Sequence, residues 1–123
     1  MSTPTPPGSL PVSPTIPLPD PLRAAYEDLY DKLETQYQST ADPTVLEAVG
    51  PQRDNVKSIL TKDDMYKLSQ DTAIFKALLA QINATNDGLK TLQAQINATA
   101  AHFQTASSIL GAVSNVFSLL GVV

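Results

Sequence analysis

Apolar residues recur at helical spacing along three stretches of the chain, and this periodicity predicts an all-α protein. The first stretch, about 21–39, follows Asp20-Pro21, which combines a candidate N-cap with a proline in the first turn. The second, 43–60, begins with the same signal at Asp42-Pro43. Gly50-Pro51 interrupts its pattern, so we expect a helix that is kinked or split there.

The third stretch is the longest and has an apolar residue at every seventh position from Leu68 to Phe117. A seven-residue apolar repeat is typical of a helix that packs against other helices, and here it predicts one helix over 62–121. Asn86-Asp87-Gly88 has the composition of a turn. A hairpin at 86–88, which would close a self-contained four-helix bundle, is therefore the alternative.

Proline dominates the beginning of the chain, where residues 1–19 carry no charged side chain. Such a segment cannot build a regular helix or a strand ladder, so we expect a disordered tail. The predicted fold is a small all-α helical bundle over residues 20–123. It has a long, heptad-patterned C-terminal helix and a disordered, proline-rich N-terminal tail.

Charge and composition argue against several classes of function. The net charge is −4, and no Lys/Arg cluster interleaves with aromatic residues, so a nucleic-acid partner is not expected. The chain has no cysteine, and its one histidine, His102, has no carboxylate one helical turn away. We find no nucleophile–base set, metal-ligand cluster or glycine-rich phosphate loop. The prediction is a protein that is not an enzyme and has no catalytic residue, cofactor, metal or small-molecule substrate.

The beginning of the chain also bears on localisation. The first cationic residue is Arg23, and proline breaks the segment before it. A secretory signal peptide needs a cationic start and an apolar run, so none is predicted. We expect a cytoplasmic protein, or one exported by a non-classical route.

The predicted length of the third helix indicates that it needs a partner. At 1.5 Å per residue the helix over 62–121 would span roughly 90 Å, whereas the other two would span about 27 Å each. Two short helices cannot cover it, so we expect its heptad face to form an oligomer, in the manner of a coiled coil, or to dock on a larger helical protein. The predicted interaction face consists of Leu68, Phe75, Leu78, Ile82, Leu89, Leu92, Ile96 and Phe103.

A membrane is the alternative partner, because Thr91 to Val123 contains no Asp, Glu, Lys or Arg. A helix with bulky apolar residues on one side and small polar residues on the other can enter a lipid interface without anionic lipid. The predicted membrane or partner face consists of Ile109, Leu110, Val113, Val116, Phe117 and Leu120.

The layout of the chain resembles that of α-helical pore-forming toxins and of proteins exported by bacterial injection machines. The shared features are a proline-rich leader, short helices and a long helix that ends in a neutral apolar segment. The resemblance implies a membrane-active protein as the alternative function, and it transfers no site residue.

Overall fold

The computed structural model describes residues 15–121 and consists of four α-helices and a short 3₁₀ turn, without a strand in that range. Helix α1 spans Asp20–Gln38, α2 spans Pro43–Ser69, α3 spans Thr72–Ala98 and α4 spans Ala106–Leu120; the 3₁₀ turn is Ala100–His102. This confirms an all-α small bundle. Residues 1–14 and 122–123 lie outside the described residues, so the disordered tail stays a prediction for 1–14.

The four helices form one ring around a shared core. Helix α1 packs against α2 and α4, and α3 packs against the same two helices. The short connections at 39–42 and 70–71 make consecutive helices antiparallel. The fully buried large apolar side chains include Tyr26, Leu29, Leu33, Val45, Ile59, Leu78, Ile82, Leu89, Leu92, Ile96 and Ile109.

Helix α2 does not split at Gly50-Pro51, and it does not end at 60 as predicted. It continues through Pro51 to Ser69 because Val49 and Val56, on either side of the proline, are both buried in the core. The Tyr37 ring of α1 lies close to Gly50, since a Cβ at this position would be 3.2 Å from the ring atom Cε2. Tertiary packing therefore outweighs the local helix-breaking signal.

The predicted single helix over 62–121 is wrong, because the chain reverses twice within it. The first reversal is at Gln70, which adopts a left-handed conformation with φ 50° and ψ 34°. Asp71 then caps α3, its side chain accepting a hydrogen bond from the Ala73 N–H at 2.7 Å. The second reversal is the link 99–105, which includes the 3₁₀ turn. These reversals let the apolar seam fold back on itself and become a core.

The hairpin at 86–88 does not form, because α3 runs through Gly88 without a break. Gly88 marks a close helix contact: a Cβ on it would lie 2.2 Å from Oε1 of Gln52 on α2. The end of the Gln52 side chain thus occupies the space beside Gly88, and the chain reaches its four helices through turns elsewhere.

The predicted tail boundary at residue 19 is also wrong, since the chain is packed before α1 begins. Leu18 is buried, and its backbone N–H donates to Oδ1 of Asp63 at 2.9 Å. The α1 N-cap is Pro19, without a side-chain cap, rather than Asp20. The segment before α1 therefore belongs to the bundle from at least Leu18.

Two residues of the predicted heptad face should respond very differently to truncation. Ile82→Ala is expected to lower the free energy of unfolding by about 2–5 kcal/mol, because it leaves a cavity in the core. Leu68→Ala, two heptads earlier and 89% exposed, is expected to change it by about 0.5 kcal/mol or less. Urea denaturation of both variants measures the difference, and similar losses would contradict the assignment of Leu68 to the surface.

Candidate functional site

Most residues of the two predicted interaction faces lie inside the bundle. Leu78, Ile82, Leu89, Leu92, Ile96 and Phe103 are buried, and so are Ile109, Val113, Val116 and Phe117. Leu110 and Leu120 are partly buried and pack against the same core. Of the fourteen predicted residues, only Leu68 and Phe75 are exposed. The others lie in or against the core because the two chain reversals let α3 pack against α2 and α4, and α4 pack against α1.

Leu68 and Phe75 lie where α2 and α3 extend beyond the other two helices. Helices α2 and α3 have 27 residues each, whereas α1 has 19 and α4 has 15. The start of α1 is level with Asp63 of α2, as the contact of Leu18 with Asp63 shows. From residue 64 to residue 77 no residue is buried. We call residues 64–77 the α2–α3 tip.

Bulky apolar side chains are exposed on the α2–α3 tip. Leu68 is 89% exposed, Met65 47% and Phe75 36%. The Tyr66 and Phe75 rings make an edge-to-face contact with their centroids 5.9 Å apart, which joins the two helices of the tip. Exposed apolar side chains gathered in one place mark an interaction surface more often than single ones do.

Leu119, which is 45% exposed, belongs to the same end of the bundle. Helix α4 begins beside the end of α1, where the backbone N–H and the hydroxyl of Thr105 both donate to Oε1 of Gln36, at 2.9 and 2.8 Å. From there α4 runs back along α1 for 15 residues. Its last turn is therefore level with the first turn of α1. All four exposed large apolar residues of the described chain lie at this end.

A groove of about 590 Å³ runs between α2 and α3 and leads onto the tip. Met65 and Ile74 provide bulky apolar surface, while Ala73 and Ala77 leave room for an approaching helix. Lys57 and Lys62 lie on its α2 side. The complete lining is Asp54, Lys57, Ser58, Thr61, Lys62, Met65, Ala73, Ile74 and Ala77. This combination of apolar and charged lining residues suits a helical segment with an apolar face.

A charged cluster fixes the base of the tip. The buried carboxylate of Asp63 accepts hydrogen bonds from Nη1 of Arg23 at 2.7 Å and from the Leu18 N–H, and Nζ of Lys67 lies 3.1 Å from it. The same Nη1 donates to Asp64 at 2.8 Å. This hydrogen bond lowers the pKa of the Asp64 carboxyl and raises the pKa of the Arg23 guanidinium. The cluster holds the start of α1 against α2 and so determines how much of α2 extends beyond it.

A second polar contact closes the opposite end of the bundle. Nδ1 of His102 lies 2.6 Å from Oδ2 of Asp42, and the other oxygen of Asp42 accepts from the Thr44 N–H at 2.9 Å as the cap of α2. The hydrogen bond to His102 lowers the pKa of Asp42, with a smaller contribution from Thr44. Sequence reasoning missed this contact because the two residues are 60 positions apart.

The described part of the chain also bears on two further kinds of site, a metal site and a membrane-spanning helix. Within residues 15–121 no group of three or more His, Cys, Asp and Glu side chains is arranged to hold a metal ion. In the same range no helix is both long and apolar enough to cross a membrane. What the tip presents is apolar surface beside charges of both signs.

Arg23→Ala is expected to lower the free energy of unfolding by about 2 kcal/mol, because Asp63 stays buried without its strongest partner. Urea denaturation at neutral pH measures the loss. Lys32→Ala is the control, since it removes only the exposed pair with Asp28 and should cost about 0.5 kcal/mol or less. An equal effect of both substitutions would contradict a structural role for the charged cluster.

Comparisons with known protein families, with curated proteins and with solved structures found no match to this chain.

Proposed function

We propose that this protein is a non-enzymatic helical interaction protein that docks through the α2–α3 tip, on a larger helical protein or on a copy of itself. The observation that carries the proposal is the exposure of Leu68 and Phe75. Both belong to the heptad pattern that first suggested an interface, and both lie beyond the cover of α1 and α4.

The chemistry of the tip supports a helical partner. Burying apolar surface stabilises a contact by roughly 25 cal/mol per Å², and Leu68 and Met65 present bulky apolar surface to solvent. The groove beside them is lined by residues of both α2 and α3, and such a groove can accept the apolar face of an amphipathic helix. An assembly protein needs such a contact surface and no catalytic group.

The proposed interface is smaller than the one that the sequence predicted. Buried residues such as Ile82 and Ile96 are in the core of the chain itself, so a partner reaches them only if the bundle opens. The tip needs no opening, since its side chains are already in solvent. A coiled-coil contact along the whole heptad face would therefore cost the free energy of opening the bundle, which docking at the tip does not.

Leu68→Asp is expected to weaken binding to the protein's partner at least tenfold, because a charged group would have to leave water on docking. The measurement uses the immobilised full-length chain to capture proteins from a lysate of the source cells. A protein retained by the wild-type chain, identified and then titrated as a purified component, should bind Leu68→Asp weakly.

Ala94→Asp is the matched control, since Ala94 is exposed on α3 roughly 28 Å from Phe75 at the helical rise. It introduces the same charge away from the tip and should leave binding unchanged. A partner that binds both variants equally, or the absence of any partner together with a monomeric chain, would overturn the proposal.

Helix α4 supports a second candidate function, a membrane-active protein that releases this helix from the bundle onto a lipid surface. Residues 91–121 contain no Asp, Glu, Lys or Arg, and the apolar side of α4 packs in the core. The link before α4 is held at two points, the Gln36–Thr105 and Asp42–His102 contacts. Loosening this link would free an uncharged amphipathic helix of the kind that lies in a bilayer interface.

Flotation with phosphatidylcholine vesicles tests this second candidate. The full chain should float, and Leu119→Asp should lower the floated fraction severalfold, because a carboxylate at the apolar end of α4 resists transfer to lipid. Leu119 is exposed, so the substitution leaves the bundle intact. Ser107→Asp, on the polar side of α4, should float like the wild type. A full chain that stays with the soluble fraction would contradict membrane activity.

A further inference from the structure

We propose that the partner of the α2–α3 tip is the α2–α3 tip of a second copy of this chain, in a two-fold symmetric dimer. This inference rests on the proposed docking function and adds the identity of the partner. In the dimer the two tips lie side by side and antiparallel, so that the end of each tip reaches the Leu119 end of the other copy.

The tip continues the core of the bundle without the helices that cover it. Phe75 lies one heptad before Ile82, which is fully buried, and therefore extends the same apolar seam of α3. Over Ile82 the core is closed by four helices, whereas over Phe75 only α2 and α3 are present. The missing component is a pair of antiparallel helices about two turns long. A second tip is such a pair, and it is equal in length by symmetry.

The position of the exposed residues fits an antiparallel pairing. Met65, Leu68 and Phe75 lie on the tip, and Leu119 lies where the tip begins. When two tips pack side by side in opposite directions, the far end of each comes level with the base of the other. Leu68 of one copy then contacts Leu119 of its partner. This arrangement covers Leu68, Phe75 and Leu119, whereas Met65 lines the outer groove between α2 and α3.

Charge favours contact between two tips over contact between other faces. The whole chain has a net charge of −4, and the outer side of α1 exposes acids that include Glu27, Asp28 and Asp31. The tip carries two acids and two bases, in the order Asp64, Lys67, Asp71 and Lys76, so its net charge is zero. Two tips therefore approach each other without net repulsion.

The length of the tip limits the strength of the dimer. Two turns of each helix form a small contact, which corresponds to the weaker class of protein interfaces. We expect a concentration-dependent dimer with a dissociation constant in the micromolar range. The full-length chain should therefore change from monomer to dimer between about 1 and 100 µM.

Sedimentation velocity of the full-length chain over that concentration range is the first measurement. The wild type and Ala94→Asp should dimerise with similar affinity, and Leu68→Asp should weaken dimerisation more than tenfold while keeping the helical content and the unfolding midpoint. Dimerisation that Leu68→Asp leaves unchanged would overturn the tip as the interface. A chain that stays monomeric throughout would overturn the second copy as partner, and the lysate capture then judges the docking function separately.

Disulfide cross-linking tests the antiparallel arrangement, and the natural absence of cysteine makes it unambiguous. Chains carrying Leu68→Cys are mixed with chains carrying Leu119→Cys and oxidised. The heterodimer should form in preference to the one from Ala94→Cys and Leu119→Cys, because Ala94 is far from the proposed contact. A mixture that cross-links equally well through Ala94→Cys and through Leu68→Cys would overturn the arrangement.

Discussion

The structure depends on covering one apolar seam on α3 that is longer than the helices available to close over it. From Leu78 to Ile96 the seam is buried, and these residues form the centre of the core. Beyond Leu78, toward the start of α3, the cover ends because α1 and α4 are shorter than α2 and α3. Phe75, part of the same seam, is therefore on the surface. The core residues and the candidate interface residue Phe75 therefore belong to the same heptad pattern. They differ in exposure because α1 and α4 end between them.

The chain obtains its cover by reversing direction where a helix was expected to continue. Gln70 and Asp71 end one helix and cap the next, and the link 99–105 brings α4 back along α1. A heptad repeat indicates which residues face other helices, and it can continue in register across a turn. It does not indicate whether the repeat lies on one continuous helix or on several helices joined by turns. For that reason most residues of the heptad pattern lie in the core of the chain itself, whereas the predicted boundaries of the long helix are wrong.

Polar contacts between distant segments determine how the helices are aligned along their axes. At one end, Arg23 and the Leu18 N–H hold Asp63 of α2, and this contact leaves the last turns of α2 uncovered. At the other end, Gln36 accepts two hydrogen bonds from Thr105. Apolar packing alone tolerates sliding of one helix along another more readily than a buried carboxylate does, because a displaced carboxylate would lose its partners. The length of the exposed tip therefore follows from these contacts.

The sequence by itself determined the all-α class, the start of α2 and most of the apolar residues that pack together. These features depend on local signals, namely apolar periodicity and the Asp42-Pro43 start. The sequence could not show that Gly50 and Gly88 mark close contacts rather than breaks, since Tyr37 and Gln52 approach them only in the folded chain. It also could not distinguish Leu68 from Ile82, which occupy the same heptad position. Tertiary structure decided that difference, because exposure depends on where α1 begins and α4 ends, and contacts between residues far apart in the sequence determine both.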